Sequence, residues 1–173
     1  MAIEKLEDLK DLENLEFGVH EVKKRALIFD LLGARYGFLI RDLITVFSPD
    51  QIVPLPNAPG FIMGLTNYRN EIIPVVDIRK KLAGMEPVYS SQNRLIKVTY
   101  RDMHLCIFIE KIIELVQYGQ EDLMEFFELE AGDIPRFWAT DKIMVNGQDT
   151  LILDLPVVLG DLYDEAHNKS IGG

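Results

Sequence analysis

The sequence predicts a mainly β protein built from two similar small barrels, with few short helices. Three observations carry that prediction. From Arg25 onward the chain is a series of short β-branched and aromatic runs broken by Gly, Pro and Asn, the texture of a barrel or sandwich of small strands. KIMVNGQDTLILDL turns at Asn146-Gly147, the strongest short-range hairpin signal in the chain. The halves also repeat: FLIRDLITVF, residues 38 to 47, lies without gaps against IFIEKIIELV when Phe38 is set on Ile107, an offset of 69 that places Thr45 on Glu114. Later, EIIPVVD-IRKKL matches DTLILD-LPVVL with Asp77 on Asp154, an offset of 77. Two small barrels side by side are the simplest architecture for such a repeat.

Taken in order, residues 1 to 16 suggest a helix, but Ile3, Leu6, Leu9, Leu12 and Leu15 recur every third residue. Each such step falls short of a helical turn by about 60°, so the apolar stripe drifts and the segment reads as short, packed or frayed. ALIFDLL and ARYGFLI pair through Gly33, and LITVF follows. SPDQIVPLPNAPG holds four prolines and a glycine and is a long, stiff loop. FIMGLTNYR and EIIPVVDI are extended runs meeting near Asn70, followed by a short helix at RKKLAG. RLIKVTYR and MHLCIFIEKIIELV resume the strand texture. Residues 119 to 138 are acidic and mixed, with Phe126, Phe127 and Trp138, and take no firm assignment. PVVLGDLYDEAH closes the chain as a helix, with Pro156 tolerated in its first turn.

Composition bounds the function. The 173 residues suit one ordinary domain or two small subdomains with a common core. The formal charge of −10 repels phosphate backbones and anionic lipid, so nucleic acid and acidic membrane surfaces are poor partners. Residues 1 to 22 hold seven acids against Lys5 and Lys10. MAIEKLEDLK does not resemble a secretory signal and no apolar run reaches membrane-spanning length, so a cytoplasmic protein is expected. The single cysteine, Cys106, lies in LCIFI and reads as a buried reduced thiol.

Catalytic chemistry finds no support. His20, His104 and His167 are scattered, and His104 with Cys106 on one strand face makes two ligands, not a metal site. No nucleophile elbow, dinucleotide fingerprint or phosphate loop occurs. No metal or cofactor is predicted. Asp77 and Asp154 each end an apolar strand before a helix, where a carboxylate caps the first turn; Asp77→Ala is expected to cost about 1 kcal/mol.

GLTNYRNEIIPVVD, from Gly64 to Asp77, is the candidate binding element. Strand alternation puts Leu65, Asn67 and Arg69 on one face and Thr66 and Tyr68 on the other. Arg69 beside the turn presents a planar, permanently charged group with five donors, suited to a partner's carboxylates or helix-end carbonyls. Pro74 cannot donate to a ladder, which places its strand at an edge or a bulge. Residue physics alone leaves open that Arg69 merely pairs with a surface acid.

From about Ala26 to Leu159 the chain resembles the CheW family of bacterial chemosensory coupling proteins. The resemblance rests on Tyr36-Gly37, on PNAPGFIMG, and above all on G-x-x-N-x-R followed by I-x-P-V-V-D-I-R at Gly64 to Arg79. It implies two small SH3-like five-stranded β-barrels with a shared hydrophobic core, and no catalysis. It divides the chain into an acidic segment 1–22, a domain over 23–167 and a tail 168–173. The implied partners are the cytoplasmic hairpin tip of a chemoreceptor and the regulatory domain of a CheA-type histidine kinase, bridged by the protein at membrane-associated receptor arrays. Asn67 and Arg69 would face those partners, and Leu43 with its strand would add apolar contact.

Three positions depart from the family pattern. Thr45 stands where V-x-E-I carries an acid, Asn70 follows N-x-R where glycine is usual, and Cys106 holds a second-half glycine position. Partner-binding candidates are therefore Leu43, Thr45, Asn67, Arg69 and Asn70. The Thr45 departure raises an alternative, a scaffold or inhibitor in a non-standard chemosensory pathway controlling pili or gliding. A third reading is a small-molecule binder with residues 119 to 138 as a lid.

Overall fold

The computed structural model describes residues 22–82, 89–125 and 134–171. The predicted N-terminal helix, Phe126 and Phe127 lie outside them. Among the described residues ten strands form: β1 Lys24–Leu31, β2 Ala34–Leu39, β3 Leu43–Phe47, β4 Ile62–Tyr68, β5 Glu71–Val76, β6 Arg94–Tyr100, β7 Met103–Ile109, β8 Lys111–Tyr118, β9 Ala139–Val145 and β10 Gln148–Leu153. Two α-helices accompany them, α1 Ile78–Leu82 and α2 Leu155–Ile171. The closing helix runs past His167 to Ile171, carrying Gly160 within it.

The strands form two five-stranded sheets, ordered β8-β1-β2-β10-β9 and β3-β6-β7-β5-β4. These are one topology used twice. Ala26↔Leu39 in β1–β2 becomes Leu95↔Phe108 in β6–β7, and Ala26↔Val116 becomes Leu95↔Phe47, each shifted by 69. The parallel pair Ile152↔Gly37 recurs as Val75↔Cys106. Capping geometry repeats as well: Asp77 N donates to Phe61 O at 2.8 Å and Asp154 N to Trp138 O at 2.7 Å, shifted by 77. The sequence repeat is thus real, but its halves do not fold as separate barrels. Hairpin β1–β2 completes the sheet whose other strands come from the second half, and hairpin β6–β7 completes the sheet of β3, β4 and β5. The first sheet is called barrel A and the second barrel B.

This exchange explains why the hairpin strands read as continuous apolar runs. β1 sends Leu27, Phe29 and Leu31 into the core shared by both barrels, and Ala26 and Ile28 into the interior of barrel A. β6 likewise gives Ile96 and Val98 to the shared core and Leu95 to barrel B. Helix α2 lays Leu155, Val158, Leu159 and Leu162 on the shared core, where Trp138 is fully buried. Its indole N–H donates to Asp161 Oδ2 at 2.8 Å, so Trp138 anchors the core and does not line an open pocket.

Barrel B closes through the proline-rich loop. Val53 exchanges two 2.8 Å backbone hydrogen bonds with Leu65, and in barrel A Met124 N donates to Lys142 O at the corresponding place. Gly64 permits this closure: with φ 154°, a Cβ there would sit 2.1 Å from Val53 O. Pro74 is not on an edge strand, since β5 lies between β7 and β4. Leu65 directs its backbone groups to Val53, so its partner Pro74 turns its nitrogen away from β4, toward β7. There the parallel ladder covers only Val75 and Val76, and the missing donor is not called upon.

Candidate functional site

The β4–β5 connection is a two-residue turn in which Arg69 and Asn70 both take positive φ, 52° and 67°, as type I′ turns require. Asn67 Oδ1 accepts the Asn70 N–H at 3.0 Å and closes it. The left-handed conformation ends the strand alternation at Tyr68. Arg69 consequently does not continue the Leu65–Asn67 row: its guanidinium carbon lies 5.3 Å from the centre of the Tyr68 ring. Among the described residues it has no acidic partner within ion-pair distance.

Tyr68 itself is fastened from two other directions. The Phe47 ring packs against it with centroids 4.4 Å apart, and Lys97 Nζ lies 5.5 Å from its centre. Lys97 is 7% exposed and donates to Glu71 Oε2 at 2.5 Å. The other Glu71 oxygen meets His104 Nδ1. Hydrogen bonds from Lys97 and then His104 hold the Glu71 carboxyl below the usual glutamate range. Deeper in barrel B, burial pushes the Cys106 thiol up to about 12, so it is inert at neutral pH. Lys97 and Glu71 were not singled out from the sequence, and His104 was weighed only as a metal ligand beside Cys106. A signal for Lys97 was present in the repeat, where the offset of 69 sets it against Ile28, a charge against an apolar core residue.

The other face of the hairpin is apolar. Register places Val53, Leu65 and Pro74 side by side, with Asn67 and Ile72 on the next rung. Ile72 is 61% and Val53 52% exposed. In barrel A two of the corresponding positions are charged, Lys142 for Leu65 and Asp149 for Ile72, and they form an ion pair at 2.7 Å, while Met144 and Leu151 stand for Asn67 and Pro74.

Thr45 and Leu43 part company. Thr45 pairs with Lys97, whose Nζ lies 5.5 Å from the centre of the Tyr68 ring. A bulge between Leu43 and Thr45 turns Leu43 the other way, against Val98 and the shared core. It lines a separate surface cleft of about 260 Å³ with Arg41, Ile44, Thr99, Leu155 and Leu159. Asn67, Arg69 and Asn70 therefore share the β4–β5 turn, Thr45 reaches its neighbourhood only through Lys97, and Leu43 lies apart.

Asp77 does more than cap. Its Oδ1 accepts the Arg79 N–H at 3.0 Å, and its carboxylate takes a bidentate pair from the Arg79 guanidinium, which also reaches Glu110 at 2.7 Å. Both Asp77 and Arg79 are buried. Burial disfavours the Arg79 charge, but the bonds to Asp77 and Glu110 prevail and raise its pKa. The expected loss of about 1 kcal/mol for Asp77→Ala is therefore too small, because Arg79 would be left buried beside one remaining acid.

Among the described residues no three His, Cys, Asp or Glu side chains cluster as metal ligands, and no helix is long and apolar enough to cross a membrane. Comparison with known proteins places the fold. The CheW-like domain model matches residues 25–162. The chemotaxis protein CheW of Klebsiella aerogenes is 28% identical over 119 residues, covering 69% of this chain and 67% of that protein. The chemotaxis protein CheW of Treponema pallidum is 26% identical over 61% of this chain and 64% of that protein. Protein FrzA of Myxococcus xanthus is 34% identical over a shorter stretch, 35% of this chain and 38% of that protein. The crystal structure of the scaffolding protein TtCheW from Thermoanaerobacter tengcongensis superposes with a TM-score of 0.67 at 22% identity, covering 79% of this chain and 92% of that one, and supports the two SH3-like subdomains. The chain belongs to the CheW-like family, whose members are non-catalytic scaffolds of chemotaxis signalling.

Proposed function

We propose that this protein couples the cytoplasmic hairpin of a chemoreceptor to the regulatory domain of a CheA-type histidine kinase, in the cytoplasm at membrane-associated receptor arrays. One observation carries the reading. The β4–β5 hairpin, with the adjoining Val53, exposes an apolar face of Val53, Leu65, Pro74 and Ile72, and its turn carries on the opposite, Tyr68 side a guanidinium lacking an acidic partner among the described residues. Exposed apolar area and an arginine at one turn are features enriched in binding hot spots. Asn67 and Asn70 shape the turn, and Thr45 reaches it through Lys97. Leu43 would contribute through the cleft beside α2, as a second contact area.

The experiment is co-sedimentation and pull-down with a kinase regulatory domain and a receptor hairpin, separately and together. Arg69→Glu is expected to lower affinity by about 30-fold or more, equivalent to about 2 kcal/mol, with the thermal midpoint unchanged. Unaltered capture would remove Arg69 from the interface. Thr45 supports a second reading, a scaffold or inhibitor in a pathway controlling pili or gliding. A Thr45→Glu arm separates the two: a gain in kinase stimulation favours a modified adaptor, and no gain makes the substitution incidental.

A further inference from the structure

The charged mouth of barrel B is foreign to the fold that carries it. In barrel A the position of Lys97 is occupied by Ile28, fully buried in that barrel's interior, and the position of Glu71 by Gln148. The topology thus accommodates an aliphatic side chain and a neutral amide at these two points. Barrel B instead removes an ammonium group from water, which is unfavourable, and a single carboxylate seldom returns a surplus over an apolar substitute. The pair is poorly explained as a stabiliser.

Its contacts all converge on the docking turn. Lys97 Nζ bonds Glu71, the residue that immediately follows the turn, and lies against Tyr68, the residue that immediately precedes it. His104 holds the second Glu71 oxygen from β7. Phe47 backs the Tyr68 ring, and the Arg69 guanidinium rests on the same ring system. Barrel A fastens its corresponding turn differently, through a hydrogen bond from Asn146 Nδ2 to Glu114.

We propose that Lys97 and Glu71 are positioning residues, which hold the Tyr68 ring and thereby the Arg69 guanidinium in a single partner-ready orientation. The proposal rests on the assignment of Arg69 as the partner anchor. An arginine on a free turn loses side-chain entropy when a partner carboxylate captures it, and a guanidinium already laid on a fixed ring loses less.

The test copies barrel A into barrel B with the double variant Lys97→Ile/Glu71→Gln in the full chain, beside the conservative Lys97→Arg. Three quantities are read: the thermal midpoint, the affinity for a kinase regulatory domain, and the ring-current shift of the Arg69 Hδ protons over Tyr68 in the free protein. The double variant is expected to melt at or above the wild-type temperature, to bind about tenfold more weakly, and to lose the ring-current shift. Lys97→Arg is expected to keep both affinity and shift. A double variant that retains them overturns the proposal, and so does one that fails to fold, since the pair would then be structural. If the wild type binds neither the regulatory domain nor a receptor hairpin, the assignment of Arg69 falls. The ring-current shift still decides whether Lys97 and Glu71 position it.

Discussion

Barrels A and B carry the same turn with opposite economies. At the β9–β10 connection barrel A uses Asn146-Gly147, the pair best suited to two successive positive φ values. At the corresponding β4–β5 connection barrel B uses Arg69-Asn70, placing a long side chain where the left-handed conformation costs an ordinary residue about 1 kcal/mol or more. The flanking faces differ in part: barrel A sets the ion pair Lys142–Asp149 beside a half-exposed Met144, while barrel B has no charge among Val53, Leu65, Pro74 and Ile72 and leaves Ile72 and Val53 open to solvent. Since both barrels share one topology, none of these features is demanded by folding. Local strain at one of two equivalent turns, beside an uncharged exposed face, marks that turn for binding.

The largest expected difference between the barrels is in their helix caps. Asp77 and Asp154 hold equivalent positions, but only Asp77 carries a buried arginine as well as a helix start. Asp77→Ala is expected to cost about 3–5 kcal/mol, against about 1 kcal/mol for Asp154→Ala, whose side chain only accepts the Val157 N–H. Denaturant midpoints for the two variants measure the contrast, and equal losses would mean that the Arg79 pair contributes nothing beyond the cap.

Much of this was legible in the chain. Strand texture, Asn146-Gly147 and the offsets of 69 and 77 delivered the elements, the repeat and both caps, because these depend on local spacing. The exchange of hairpins between halves was not legible, since which sheet accepts β1–β2 is decided by burial on both of its faces. The reach of Asp77 to Arg79 was hidden for a related reason: two residues apart in a strand-to-helix junction, their side chains meet only once α1 has formed. Arg69 was assigned to the Leu65 face by alternation, and the positive φ of the turn moved it to the Tyr68 ring. Lys97, Glu71 and His104 come from three strands, and only pairing brings them to one mouth.

A smaller effect tests the strain directly. Replacing Arg69-Asn70 by the barrel A pair, Arg69→Asn/Asn70→Gly, is expected to raise stability by about 0.5–1 kcal/mol, the relief of strain less the exposed contact with Tyr68. Asn70→Gly alone is expected to be neutral or slightly stabilising, because Asn70 already has φ 67°. Partner capture should fall in the double variant and persist in the single one. A stabilised protein that no longer binds would show that the strain is kept for Arg69, and a destabilised one would refute the turn assignment.

The smallest effect concerns acid. Glu71 is held below the usual glutamate pKa by its hydrogen bonds to Lys97 and His104, so in the window between its folded and unfolded values the unfolded chain binds the extra proton. Its contribution is therefore fully present above the ordinary value of about 4.3 and is lost as pH falls through the folded value. Gln148, its counterpart in barrel A, does not titrate, and Glu71→Gln gives barrel B the same indifference. Thermal midpoints should separate wild type from Glu71→Gln at neutral pH and draw together only as pH falls below the ordinary glutamate value and through the lower folded one. A separation that persists unchanged in acid would mean that Glu71 acts through packing and not through its charge, which would also detach Lys97 from the turn it is proposed to hold.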